Sequence, residues 1–217
     1  MSDLLHHFQA GGWAMYLILF WLIAAIVIII ERTVFLMGVS INKDAFISAV
    51  QGALASGDIH RAMSMASSAN SPLSRIVQAG LGKADRPERE ICSNMDEAAL
   101  RELPKITKRT GFLALFANLA MLCGLFGTIV GLIKAFGAVG GESVDPSQKA
   151  RILAEGISEA MNCTAFGLLS AIVALIGFSV LNGKTQGLED DINEASVQVL
   201  NLVVANRQKV NLQGIDG

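Results

Sequence analysis

The stretch TGFLALFANLAMLCGLFGTIVGLI, from Thr110 to Ile133, contains no charged residue. Lys108-Arg109 precedes it and Lys134 follows it. Because an α-helix rises about 1.5 Å per residue, a run of this length can cross the roughly 30 Å hydrocarbon core of a bilayer. The stretch therefore predicts a transmembrane helix.

Two further runs have the same character. Residues 13–30 and residues 160–183 also lack charge; Glu31-Arg32 follows the first of these runs, and Glu159 and Lys184 bound the second. Trp13 lies at the start of the first run, where interfacial aromatic residues are common. Residues 1–12 contain no Lys or Arg, so we interpret the first run as a retained helix rather than a signal peptide. The sequence predicts an all-α integral membrane protein with three spans.

The composition agrees with a membrane protein and argues against several other classes. Hydrophobic residues make up 52% of the chain and charged residues 17%, whereas a soluble domain carries about 25% charged residues. A net charge of −2 gives no electrostatic case for nucleic-acid binding. We interpret the three cysteines as free thiols and the His6-His7 pair as solvated, and we expect neither a metal nor a cofactor.

The distribution of Lys and Arg predicts the orientation, since cytoplasmic segments are enriched in them. Residues 1–12 have none and segment 31–109 has eleven. We therefore expect a periplasmic N-terminus over 1–12, a cytoplasmic domain over 31–109, a periplasmic connection over 134–159 and a cytoplasmic tail over 184–217.

The cytoplasmic parts show the periodicity of helices. Asp58 and Ser71-Pro72 are typical helix starts. Pro104 is expected to kink the helix that leads into the second span. Spans two and three are expected to continue into the cytoplasm as long helices. In the tail, apolar residues alternate by four and three: Leu188, Ile192, Ala195, Val199 and Leu202.

The periplasmic connection contains a turn signal and a helix start. Gly137, Gly140 and Gly141 predict a flexible turn. Asp145-Pro146 then predicts that the third helix begins well before its hydrophobic boundary.

Small residues recur every three or four positions in the second and third runs, among them Gly124, Gly127, Gly131, Gly167 and Ala171. Such stripes let membrane helices approach closely. They could serve packing within one chain or contacts that include other chains, and two long stripes in one small protein favour the second.

Three polar residues stand out at these runs. Thr128 and Thr164 lie on the stripes, although a transmembrane Thr most often bonds the backbone of its own helix. Glu159 lies at the edge of the third run, where a carboxylate is a functional candidate. The alternative for Glu159 is a solvated group at the membrane interface.

Two stretches resemble a known family. They are LFANLAMLCGLFGTIVGLIKAF over 115–136 and LAEGISEAMNCTAFGLLSAI over 153–172. Both are similar to the paired signatures of the MotA/TolQ/ExbB proton-channel family, closest to its TolQ/ExbB branch, and the resemblance covers about residues 10–205. Met121 and Val173 stand where the family usually has Pro, which implies straighter helices here.

The resemblance implies a proton-channel subunit of the bacterial inner membrane that converts proton-motive force into mechanical work. It implies a homopentameric ring around two copies of a single-span ExbD/TolR-like partner, whose membrane Asp carries protons. It also implies pore-lining roles for Thr128, Thr164 and Glu159. Energised transport, envelope maintenance and gliding are all compatible with the sequence.

Other functional classes fit less well. A non-conducting membrane scaffold would use the stripes only for assembly. A secondary transporter lacks support because no inverted repeat or broken-helix pair is evident. An intramembrane enzyme lacks support because no nucleophile–base pair lies in the runs.

Overall fold

The computed structural model describes residues 11–140 and 145–213. Within these ranges the chain is helical and contains no strand. The helices are α1 (Ala14–Val39), α2 (Lys43–Ala55), α3 (Ile59–Ser68), α4 (Pro72–Leu81), α5 (Glu88–Thr107), α6 (Thr110–Val139) and α7 (Pro146–Gln213). The chain divides into two compact units. The membrane unit comprises residues up to Arg32 and Arg109–Leu181, and the helical unit comprises Thr33–Lys108 and residues from Asn182 onward.

Three stretches of helix are long and apolar enough to cross a membrane, as predicted. They lie within Ala14–Ala55, Glu88–Val139 and Gln148–Asn206. Only 22%, 28% and 28% of their most apolar windows are buried inside the chain. Most of each window is therefore left for contact with lipid or other subunits, and the fold is that of an all-α membrane protein.

In the membrane unit, α6 runs antiparallel to both α1 and α7. The rings of Trp13 and Phe126 lie 6.1 Å apart, and those of Trp21 and Phe116 lie 5.3 Å apart. A later residue of α1 therefore contacts an earlier residue of α6, as in antiparallel helices. The small residues show the same antiparallel arrangement between α6 and α7, because Gly124 contacts Gly167 and the later Gly131 contacts the earlier Ala160.

The third span belongs to one unbroken helix, as expected. Helix α7 begins at Pro146, and the backbone N–H groups of Gln148 and Lys149 donate to the Asp145 carbonyl at 2.9 and 3.0 Å. Pro at the first position costs no hydrogen bond, because that N–H has no partner inside a helix. The predicted early start of this helix is confirmed.

The expectation of one long helix through the second span needs correction. Helix α5 passes through Pro104 and ends at Thr107, and Arg109 adopts a left-handed conformation with φ of 70° before α6 begins. The interruption therefore lies at Lys108-Arg109 rather than at Pro104. The Arg109 guanidinium contacts the Glu31 carboxylate at 3.3 Å, which helps to hold this conformation.

The turn predicted from glycines is also different. Gly137 lies inside α6, which continues to Val139, and Gly140 caps the helix. A helical Gly costs only about 0.5–1 kcal/mol relative to Ala, which is too little by itself to end a helix. Gly141 lies outside the described residues.

The helical unit confirms the predicted helix starts. The Asp58 carboxylate accepts a hydrogen bond from the Arg61 N–H at 2.8 Å. Ser71 and Ser74 cap α4 reciprocally at 3.1 Å. The fully buried apolar side chains of this unit include Val50, Leu54, Ile76, Val77, Ile91, Ile106, Val199 and Val203. The tail therefore contributes to this core through the predicted seam, with Val203 buried more deeply than Leu202.

Ion pairs join helices of the helical unit. Lys43 at the start of α2 contacts Asp191 at 2.9 Å and Glu194 at 2.6 Å on α7. These carboxylates raise the pKa of Lys43. Glu102 on α5 is buried and accepts hydrogen bonds from Arg75 at 2.7 Å and Lys105 at 2.5 Å.

Candidate functional site

Thr164 presents a buried hydroxyl on α7. Its Oγ1 is shielded from solvent and has no hydrogen-bond partner among the described residues. A helical Thr commonly bonds the carbonyl three or four residues earlier, but this one does not. An unpaired buried hydroxyl costs about 1–3 kcal/mol. The hydrogen-bonding capacity of the Thr164 hydroxyl is therefore unused among the described residues.

Thr128 on α6 behaves differently. Its Oγ1 donates a hydrogen bond to the Leu125 carbonyl at 2.5 Å. This is the own-helix bond that the sequence left open as the ordinary alternative. The oxygen of Thr128 can still accept a hydrogen bond, but its proton is already used.

The two threonines line one groove. The groove has a volume of about 460 Å³ and is otherwise apolar. It is lined by Thr128, Leu132, Ile157, Ala160, Met161, Thr164, Ala165 and Leu168. The structure thus brings together two of the three predicted pathway residues, from α6 and α7, at an open apolar surface.

Glu159 lines a different groove. It lies five positions before Thr164 on α7, which turns its side chain about 140° around the helix axis from that of Thr164. Its groove, of about 700 Å³, also includes Lys134 and Glu155, and the Glu159 carboxylate lies against Gly12. The structure therefore does not place Glu159 beside the two threonines within one chain.

The small-residue stripes pack within the chain. A Cβ atom on Gly124 would lie 3.0 Å from the Cys163 carbonyl and 3.2 Å from the Gly167 Cα. One on Gly131 would lie 3.4 Å from Ala160 Cβ. Ala171 is 5% exposed, and Gly124, Gly127, Gly131 and Gly167 are buried as well. This is the packing within one chain that the sequence left open, and a role of the stripes in contacts between chains stays a prediction.

Two features near Glu159 were not singled out as functional in the sequence. Cys163 is 1% exposed, and its thiol donates a hydrogen bond to the Gly11 carbonyl at 2.8 Å. Gly12 has a φ of 68°, a conformation that favours glycine. The consecutive glycines before an aromatic-rich span are the only sequence signal for this turn.

No group of three or more metal-ligating side chains occurs in the part of the chain that the structure describes. His6 and His7 lie outside it. The chemistry that the described residues offer is hydrogen bonding by hydroxyls in one apolar groove, and two carboxylates and an ammonium group, from Glu155, Glu159 and Lys134, in a separate groove.

Comparison with known proteins identifies the family. The sequence profile of the MotA/TolQ/ExbB proton channel family matches residues 68–194, more than half of the 217-residue chain.

Three relatives give the extent of the similarity. An ExbB homologue of Methanothermobacter thermautotrophicus is 27% identical over 89% of this chain and 67% of its own length. An ExbB-like protein of Synechocystis is 33% identical over 82% of this chain and 70% of its own. The Tol-Pal system protein TolQ of Haemophilus influenzae is 36% identical, but the match spans under half of its length, 47%. The chain therefore belongs to the MotA/TolQ/ExbB proton channel family, within its TolQ/ExbB branch.

Proposed function

We propose that this chain is the proton-channel subunit of a stator-type motor in the bacterial inner membrane. Five copies would form a ring around two copies of a single-span ExbD/TolR-like partner. Proton flow through the ring would move one component against the other. The names of the relatives, which refer to biopolymer transport and to the Tol-Pal system, support an energy-transducing role in the envelope.

The unpartnered Thr164 hydroxyl carries this proposal. It is buried at a groove that also includes Thr128 and that is otherwise apolar. Thr110 and Thr185 also have buried hydroxyls without a partner among the described residues, so it is the position of Thr164 at this groove that distinguishes it. A hydroxyl without a partner in apolar surroundings can order water or donate a hydrogen bond to a carboxylate from a partner helix.

The proton carrier must come from a second protein. None of the runs 13–30, 110–133 and 160–183 contains an Asp or Glu. A membrane Asp of the partner would supply the titrating group, and the free hydroxyl would stabilise its ionised form. One charge crossing a potential of 100 mV releases about 2.3 kcal/mol, so several protons could drive a mechanical step.

The orientation follows from charge. Segment 31–109 carries eleven Lys and Arg residues, and residues 1–12 carry none. This charge distribution supports a periplasmic N-terminus and a cytoplasmic C-terminal tail. Glu159, which precedes the third run, would then lie toward the periplasmic entrance.

Proton flux into vesicles that hold this chain and its partner tests the proposal. Thr164→Val keeps the shape and removes the hydroxyl, so it should lower flux at least tenfold if loss of the bond costs about 1.4 kcal/mol or more. Thr110→Val is the matched control, since the Thr110 hydroxyl is likewise buried and without a partner among the described residues. Thr110 does not line the groove, so this variant should conduct normally.

Two outcomes would contradict the proposal. Absence of flux in the wild-type complex under a proton gradient would favour the non-conducting scaffold. Wild-type flux in the Thr164→Val complex would leave a channel but remove this hydroxyl from its path.

A further inference from the structure

The turn that precedes α1 lies directly on the Glu159 side chain. Gly12 has a φ of 68°, and a Cβ atom on it would overlap the Glu159 carboxylate oxygen and lie 3.1 Å from its Cδ. The carboxylate therefore occupies the space that any other residue at position 12 would fill. The absence of a side chain at position 12, in the turn before α1, thus leaves room for the Glu159 carboxylate.

A second contact ties the same turn to the same face of α7. The Cys163 thiol donates to the Gly11 carbonyl at 2.8 Å. Cys163 lies four residues after Glu159, so both side chains leave α7 on one face, one helical turn apart. Gly11 and Gly12 are therefore held against α7 by one hydrogen bond and one close contact.

Helix α6 completes this junction. A Cβ atom on Gly127 would lie 2.9 Å from Ala14 Cβ and 3.0 Å from the Cys163 Sγ. Ala14 and Met15 are each only 3% exposed and form a core cluster with Cys163. Three helices meet where only small residues fit, so the turn cannot shift without disturbing this packing.

We propose that the Gly11-Gly12 turn is a positioning element that fixes the Glu159 carboxylate at the entrance of the proton pathway. This inference rests on the proposed function. It identifies Gly12 and Cys163 as positioning residues for Glu159. The titratable groups that line the groove of Glu159 are Lys134 on α6 and Glu155 on α7. The turn would set the distance of the carboxylate from both.

Gly12→Asn tests the contact between the turn and the Glu159 carboxylate, and it adds little backbone strain at the positive φ of position 12. Asn tolerates a positive φ better than other residues with a Cβ atom, so the main change is the Cβ that displaces the carboxylate. Gly38→Asn, near the end of α1, is the control, because a Cβ there meets nothing within 4 Å. We expect Gly12→Asn to lower flux severalfold and to change its pH profile, whereas Gly38→Asn leaves both unchanged.

A readout on Glu159 itself separates this inference from the proposed function. The side-chain carboxyl ¹³C signal of Glu159, assigned by its loss in Glu159→Gln, reports the surroundings of the carboxylate whether or not protons flow. The position of this signal should shift in Gly12→Asn. An unchanged signal would overturn the inference, even in a complex that conducts.

The hydrogen bond offers a second test if Gly12→Asn fails to fold. Cys163→Ala removes the donor, and Cys163→Ser restores one with nearly the same shape. The Glu159 signal and the flux should change in the Ala variant and return toward the wild type in the Ser variant. Equal behaviour of the two variants would overturn the role of this bond. Wild-type flux in Glu159→Gln would remove Glu159 from the pathway and refute this inference, while the Thr164 result would still stand.

Discussion

Gly167 and Gly124 bring the backbones of α7 and α6 into direct contact. A Cβ atom on Gly167 would lie 3.0 Å from the Gly124 Cα and 3.0 Å from the Ala120 carbonyl oxygen. Both obstacles are backbone atoms, which cannot move aside as a flexible side chain could. The separation of these two helices therefore depends on the absence of a side chain at each position.

Gly167→Ala should destabilise the membrane unit. Overpacking of a tight contact costs about 1–3 kcal/mol, so the thermal unfolding midpoint in detergent should fall by several degrees. Gly137→Ala on α6 is the control, because a Cβ there meets nothing within 4 Å. Ala is the better helix former, so this control should be neutral or slightly stabilising. Circular dichroism during heating makes the comparison.

Equal stability of the two variants would contradict the backbone contact. At Gly131 a Cβ atom would be in ordinary van der Waals contact with Ala160 and Gly156, at 3.4–3.5 Å, so the further carbons of a Leu side chain would have to push these groups aside. Gly131→Leu should therefore disturb the single chain as well as any assembly. If this variant loses the oligomer but keeps the wild-type unfolding midpoint, the stripe acts mainly in contacts between chains.

Much of the fold could be predicted from the sequence because its signals are local. Uncharged runs predicted the three spans, and Asp58, Ser71 and Pro146 predicted helix boundaries through their own hydrogen-bonding chemistry. The interruption at Arg109 was not predicted. Its left-handed conformation goes with a contact to Glu31, 78 positions away, and no local pattern encodes that contact.

The site was predictable as a set of residues but not as a geometry. Sequence alone cannot tell that Thr128 bonds the Leu125 carbonyl while the Thr164 hydroxyl has no partner among the described residues. That difference depends on side-chain rotamers, which packing between helices decides. Likewise, the contact between Gly12 and Glu159 depends on how α1 docks, and it leaves no trace in the residues around Glu159.

Glu102 should stabilise the helical unit in a pH-dependent way. Burial alone would raise the pKa of its carboxyl, but hydrogen bonds from Lys105 and Arg75 outweigh burial and lower the pKa below its ordinary 4.5. A lowered folded-state pKa contributes stability above the unfolded value, and that contribution is lost as the pH falls through the folded value. At neutral pH, Glu102→Gln should cost about 1–3 kcal/mol, as for hydrogen bonds to a charged group.

The difference in unfolding midpoint between the wild type and Glu102→Gln should shrink as the pH is lowered below 4.5. Glu97→Gln is the control, because Glu97 and its partner Arg101 have side chains 60% and 74% exposed. Exposed pairs contribute little. A difference for Glu102→Gln that stays constant from neutral to acidic pH would show that packing, not charge, is responsible.

Accessibility labelling should reveal the orientation. In a chain with its native cysteines replaced, Gln148→Cys should react with an impermeant maleimide in intact cells, and Ser67→Cys should not. Both positions are exposed in the structure, so a difference in labelling reports the side of the membrane. After permeabilisation both should react. The reverse pattern in intact cells would overturn the orientation derived from charge.

The two threonines of the groove should differ in their effect on proton flux. Thr164 has a free hydroxyl, whereas the Thr128 proton is held by the Leu125 carbonyl at 2.5 Å. Thr128→Val removes a group that can only accept a further hydrogen bond, and Thr164→Val removes one that can both donate and accept. If the pathway needs a donor for the ionised Asp of the partner, Thr164→Val should reduce flux far more than Thr128→Val. Equal losses in reconstituted vesicles, with assembly intact, would instead indicate that both oxygens act as acceptors for ordered water.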